Sequence, residues 1–181
     1  ALDIGGKKTE ITAKQIWEID PFADIYFWDE GITKNNMEKF ILGEPRLDIF
    51  VDEMDDLEIK FLSRIICAKN GIPVLMATDN GDGVILDVER YDLDRHYPPF
   101  HGLLGGTKVE ELAGLSRQEW VRMAIKIIGA DHMVERLKAS LAEVGKSLSG
   151  GSQLATGAKI SGAAVARATR LIANKENLAS G

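Results

Sequence analysis

The sequence predicts an α/β fold: a mostly parallel sheet that ends in an antiparallel hairpin, followed by a C-terminal helical extension. Two observations carry this. Up to residue 78, short β-branched and aromatic runs alternate with segments of helical periodicity, which implies right-handed crossovers and a sheet covered on both faces and makes the half up to residue 90 α/β. Beyond residue 107, three helical patterns follow one another with no strand-like run between them. The division expected is a core over 1–107 and a helical extension over 108–181 packed on it.

From residue 8 to 19, Ala13, Ile16 and Ile19 recur at helical spacing among charged residues, and Asp20-Pro21 ends the pattern because proline disfavours helix in the residue before it. Residues 23–28, Ala-Asp-Ile-Tyr-Phe-Trp, read as a strand broken by Asp29-Glu30-Gly31. Thr33 is placed to cap a short helix through Ile41, Gly43-Glu44-Pro45 ends it, and residues 47–51 form a short apolar strand. A helix over 56–70 puts Leu57, Phe61, Ile65 and Ala68 on one face, with Gly71 where a left-handed cap is wanted. Residues 72–77 and 84–88 read as two strands joined through the glycine-rich 79–83 segment, a hairpin with a loose turn.

Residues 91–107, with Pro98-Pro99 and three glycines, read as a loop. Ser116 and Glu119 make a capping-box pair for a helix to Ile128, and further helices cover 131–144 and 154–173, separated by Gly150-Gly151-Ser152. The last helix carries Gly157, Ser161, Gly162, Ala164 and Ala168, small residues that let its backbone approach a neighbour closely.

With 181 residues and 45% hydrophobic content, the chain can bury one sizeable core. A formal charge of −6 and a pI near 5.1 leave no electrostatic footprint for nucleic-acid phosphates, so no nucleic acid is expected as a partner. Cys67 is the single cysteine, which excludes an internal disulfide and a cysteine-only zinc site. No apolar run approaches the ~20 residues needed to cross a bilayer. Together these features predict a cytoplasmic chain without membrane contact. Ala1-Leu2-Asp3 has no initiator Met, which predicts processing or truncation.

Two constellations bear on chemistry. Asp52-Glu53-Met54-Asp55-Asp56 follows a buried strand and opens a helix, the place where open α/β sheets bind ligands. A carboxylate there can hold Mg²⁺ on nucleotide phosphates, and it can equally cap the helix. Gly5-Gly6-Lys7-Lys8 puts lysine at a helix start, against the dipole preference and in reach of a phosphate. There is no GxGxxG after a strand, and Gly145-Lys146-Ser147 lacks its upstream glycine because Ser140 stands there. His96, His101 and His132 have no zinc-binding spacing, so no zinc is expected, and no nucleophile elbow supports hydrolase chemistry.

In order and spacing, three segments resemble the ThiF/MoeB, ubiquitin-activating-enzyme-like adenylyltransferases. Gly5-Gly6-Lys7-Lys8-Thr9-Glu10 with Ile16-Trp17-Glu18-Ile19-Asp20-Pro21 is similar to the family's Gly-x-x-Lys-x-Glu helix ending in Asn-Pro, with Asp20 for Asn. Residues 47–56 are similar to its strand followed by Asp-x-x-Asp-Asn, with Asp56 for Asn, and Gly71-Ile72-Pro73-Val74 to its next strand. Phe100-His101-Gly102-Leu103-Leu104-Gly105 and the tail Leu178-Ala179-Ser180-Gly181 are similar to large bacterial proteins in which a ThiF-like domain precedes a nitroreductase-like module.

The resemblance implies a Rossmann-like sheet lacking its glycine-rich front, part of a domain that in the complete parent uses ATP and Mg²⁺ to adenylate the terminal carboxylate of a ubiquitin-like protein or a small carboxylate substrate. It casts Asp55 as the catalytic, magnesium-holding residue, with Asp52 and Asp56 as further metal candidates. It makes Lys8 the phosphate lysine, sets Lys60 where the family has arginine, and places Gly31-Ile32 at the adenine-side loop. A homodimer and an adjoining nitroreductase-like module are the assembly it implies. The alternative is a degenerate, non-catalytic ThiF-like docking or oligomerisation module, and a nicotinamide-dependent oxidoreductase ranks last because topology alone stands behind it.

Overall fold

The computed structural model describes residues 3–151 and 153–181, so Ala1, Leu2 and the Ser152 of the Gly150-Gly151-Ser152 separator lie outside the described residues. Among the described residues the chain is a mixed α/β structure. Its elements run α1 (Lys8–Ile19), α2 (Met37–Leu42), β1 (Phe50–Val51), α3 (Leu57–Asn70), β2 (Val74–Asn80), β3 (Gly83–Glu89), α4 (Arg117–Ile128), α5 (Glu135–Glu143) and α6 (Ala155–Ala173). No helix among them is long and apolar enough to cross a membrane.

The sheet is open, three-stranded and ordered β1-β2-β3. Its parallel part is confined to Phe50↔Val74 and Val51↔Leu75, whereas β2 and β3 run antiparallel from Val74↔Glu89 to Asn80↔Gly83. The sheet is therefore mixed, with the antiparallel ladder the longer. Because side chains alternate along a strand, Val74 and Met76 face α3 while Leu75 faces α6. One layer joins Met37, Ile41, Phe50, Ile59, Cys67, Ile72, Val74 and Tyr91, continued by Leu57, Met76, Phe100, Leu112 and Ile127. On the other face Leu75 and Val88 pack on Ala168 and Ile172. The small-residue stripe of α6 serves this packing. A Cβ on Gly157 would meet Gly81 O at 2.9 Å, and Ser161 Oγ donates to Asp79 Oδ1 at 2.5 Å.

The helix ends follow local chemistry closely. α1 begins and ends where the periodicity places it. Asp56 caps α3 by accepting from Ile59 N, Gly71 ends it at φ 65°, and Ser116 with Glu119 closes the capping box of α4.

The structure corrects several strand and cap expectations. Residues 23–28 form no strand: their β propensity finds no neighbouring strand, and the segment is tied to α1 by Trp17 Nε1 donating to Ala23 O at 3.0 Å. The run 47–51 contributes only Phe50 and Val51. Asn36, not Thr33, immediately precedes α2, and its side chain accepts from Thr33 N instead of capping the helix. The hairpin turn is tight, with Gly81 at φ 66° and Asp82 alone between the paired ends, and α5 starts at Glu135, later than expected. Within the 91–107 loop, Phe100, His101 and Gly102 all take positive φ, two of them without being glycine.

Candidate functional site

β1 ends at Val51, opposite Leu75, while β2 runs on to Asn80, and a cleft of about 1170 Å³ lies beyond the carboxyl end of β1, along this extended part of β2 and against the helical extension. The loop from β1 to α3 enters it, and two of its aspartates are occupied with the backbone. Asp52 Oδ1 accepts from Met54 N at 3.1 Å, and Asp56 Oδ1 caps α3. Asp55 lies between these two anchors, exposed on the cleft, with no hydrogen bond or ion pair to its carboxylate among the described residues. Its carbonyl accepts from Trp120 Nε1 at 3.0 Å. Glu53, also on the cleft, accepts from Ala77 N at 3.1 Å, where β2 has outrun β1.

Asp52 is fully buried. Lys60 Nζ donates to its Oδ1 at 3.0 Å and Arg64 pairs with its Oδ2. Burial works against the Asp52 charge, but Arg64 and Lys60 outweigh it and hold the carboxyl below the usual carboxylate range. Burial is also the largest influence on Lys60, lowering its ammonium below the ordinary value. Asp52 opposes that fall and the nearby Arg64 charge adds to it. Arg64 is thus the dominant cation beside Asp52.

Arg64 is itself buried against burial's cost because Glu89 and Asp52 flank it, and its guanidinium carbon stacks 3.9 Å from the Phe100 ring centre. Arg64 Nε and Glu89 Oε2 are 2.6 Å apart yet misaligned, a charge contact rather than a hydrogen bond. Glu89 Oε1 accepts from Phe100 N at 2.6 Å and from Tyr91 OH at 3.1 Å. Beside it His101 bridges Asp87 Oδ1 and Tyr97 OH, both at 2.9 Å.

The structure thus divides the residues the sequence singles out. Asp55, Asp56 and Lys60 line the cleft; Asp52 supports it from below. Lys8 is exposed on α1 and does not line the cleft. Gly31, at φ 73°, accepts from Asn36 Nδ2, and Ile32 packs half-buried against the α2–α3 core, so neither lines the cleft. Among the described residues no three His, Cys, Asp or Glu side chains are grouped to hold a metal ion. Arg117 and Trp120 also line the cleft, from α4, to which the sequence assigns a capping box and no chemistry. The Arg64 lattice had a readable signal: Asp87, Glu89 and Tyr91 recur at period two.

The chain is 37% identical over 180 residues to an uncharacterized protein of Mycobacterium tuberculosis (strain CDC 1551 / Oshkosh), a match covering 99% of this chain and 24% of the relative. The chain therefore spans about a quarter of that protein's length. No family model matches the chain, and no solved structure matches it reliably.

Proposed function

We propose that this chain is part of an adenylate-forming domain of the ThiF/MoeB type, cytoplasmic, whose complete parent completes a Rossmann-like sheet and activates a carboxylate with ATP and Mg²⁺. The observation that carries the reading is the position of Asp55. It follows the parallel strand β1, the nearby Asp52 and Asp56 are absorbed by the fold, and its own carboxylate is left facing a cleft at the end of that strand. These residues fit a magnesium-bound phosphate, since Mg²⁺ takes one or two protein carboxylates and fills its shell with phosphate and water oxygens. When bound, the metal nucleotide would supply the phosphoanhydride that the substrate carboxylate attacks. The chain's own contribution is Asp55 as a fixed anionic anchor, with Lys60 and Arg64 holding the loop under it through Asp52.

The second reading, a non-catalytic docking module, is favoured by Lys8, which stands away from the cleft. Calorimetric titration with ATP and Mg²⁺ separates the two. Saturable binding that Asp55→Asn weakens at least about tenfold supports the adenylation reading. Equal affinity in wild type and Asp55→Asn, or no binding in a chain extended to the parent's length, overturns it.

A further inference from the structure

Arg117 and Trp120 reach the cleft from α4, outside the segments on which the adenylation reading stands. The indole of Trp120 is tied to the loop that carries the exposed carboxylate through its hydrogen bond to Asp55 O. The Arg117 guanidinium carbon lies 5.4 Å from the centre of that indole, and one N–H of Arg117 donates to Ser149 O at 3.2 Å. Among the described residues Arg117 forms no ion pair, whereas Lys60, the other cation on the cleft, is committed to Asp52.

The unit that carries these side chains is built to stay in place. α4 and α5 enclose a core of their own around Met133, Leu141 and Val144. Asn80, at the end of β2, clasps the unit by donating to His132 O at 2.7 Å and accepting from Val134 N at 3.0 Å. The unit is thus fastened at both strand ends that flank the cleft, after β1 through Asp55 and at β2 through Asn80.

We infer that the α4–α5 unit completes the binding site: Arg117 receives phosphate oxygens of a ligand whose divalent cation is held at Asp55, and Trp120 positions Asp55 against it. This rests on the adenylation reading for the metal at Asp55, and it adds residues that the motifs do not supply. The charge balance selects the ligand class. Glu53, Asp55, Asp56 and Asp79 line the same cleft, so a bare anion is repelled there. A polyphosphate arriving with its cation presents both signs, its metal to the carboxylates and its oxygens to a guanidinium fork suited to them.

The test uses the whole chain carrying Trp17→Phe and Trp28→Phe, which leaves Trp120 as the sole indole. Its fluorescence and its heat of binding are followed on titration with pyrophosphate, with and without Mg²⁺, and with ATP and Mg²⁺. Magnesium pyrophosphate should bind saturably and change the Trp120 emission, and pyrophosphate alone should bind more weakly. Arg117→Gln should weaken the magnesium complex about tenfold, with Arg117→Lys in between, because the fork rather than the bare charge is used. Calorimetry on Trp120→Phe should show a few-fold loss, with faster amide exchange at residues 53–56, a readout that needs no ligand.

If magnesium pyrophosphate binding depends on Arg117 while ATP with Mg²⁺ does not bind, the inference stands and the adenylation reading falls. If ATP with Mg²⁺ binds equally to wild type and Arg117→Gln, the inference is overturned and the adenylation reading stands. Absence of binding by every probe, or unchanged amide exchange in Trp120→Phe, also overturns the inference.

Discussion

On the α3 side of the sheet, β3 presents Asp87 and Glu89; on the α6 side, the same strand presents Leu86 and Val88. The first face is closed by a buried arginine between two acids and by a histidine clasp, the second by alanine and isoleucine against leucine and valine. The apolar face answers to volume, and its stability should fall in proportion to the atoms removed. The charged face answers to pairing, because a buried ion is tolerable only while each partner is present. One strand alternating at period two therefore supports two faces that should fail in different ways.

The largest effect expected is at Arg64. Arg64→Met leaves Asp52 and Glu89 buried without their common cation and should cost about 3–5 kcal/mol, measured by urea unfolding. Adding Glu89→Gln, which keeps an acceptor for Phe100 N, should make the double variant less destabilised than the sum of the singles by about 1–3 kcal/mol. Simple additivity would show that the charged face behaves like the apolar one and would erase the contrast.

How far the sequence reaches differs along the same lines. Helix ends at Ile19, Asn70 and Ser116 were legible because caps, glycine and proline act within a few residues. Residues 23–28 were misread because strand propensity is satisfied only by a partner, and none pairs with them here. Asp55 and Asp56 could be placed at a strand end from the sequence, since strand, loop and helix are contiguous, and Lys60 was singled out by the family resemblance alone. The division of labour among Asp52, Asp55 and Asp56 could not, because it depends on Arg64 and Lys60 reaching back from α3. Trp120 on Asp55 O spans 65 residues and has no sequence signal.

The apolar face offers the intermediate effects. Ile172→Ala removes a buried side chain near the end of α6 and should cost about 2–3 kcal/mol, with the binding of any cleft ligand unchanged. Two glycines on α6 then sharpen the volume argument at roughly 1 kcal/mol. Gly162 has nothing within 4 Å of an added Cβ, so Gly162→Ala should stabilise by the helix-propensity gain of about 0.5–1 kcal/mol. Gly157 faces the fixed carbonyl of Gly81, so Gly157→Ala should reverse the sign and destabilise by about 1 kcal/mol after that gain is offset. Thermal melts of the two variants that shift in the same direction would show that α6 does not seat on the hairpin turn as described.

The smallest expected effect is the one that pH reveals. The hydrogen bond to Asp87 raises the His101 imidazole above its ordinary 6.5, with burial working against it and the Glu89 charge helping; Tyr97 and Arg64 are the other ionisable groups facing it. A base whose folded-state value is raised binds its proton more tightly when folded. Its contribution is therefore complete below about pH 6.5 and is lost as pH climbs through the raised value. Wild type should lose stability across that interval relative to His101→Gln, which keeps a polar side chain but cannot titrate. The clasp holds Phe100 and His101 in left-handed backbone, so the same rise in pH should also loosen amide protection at residues 99–102 before the rest of the sheet. Parallel stability curves for the two proteins from pH 5.5 to 9 would remove charge from the His101–Asp87 contact and leave the ionic fastening of that face to Arg64 and to the Lys60–Asp52 pair.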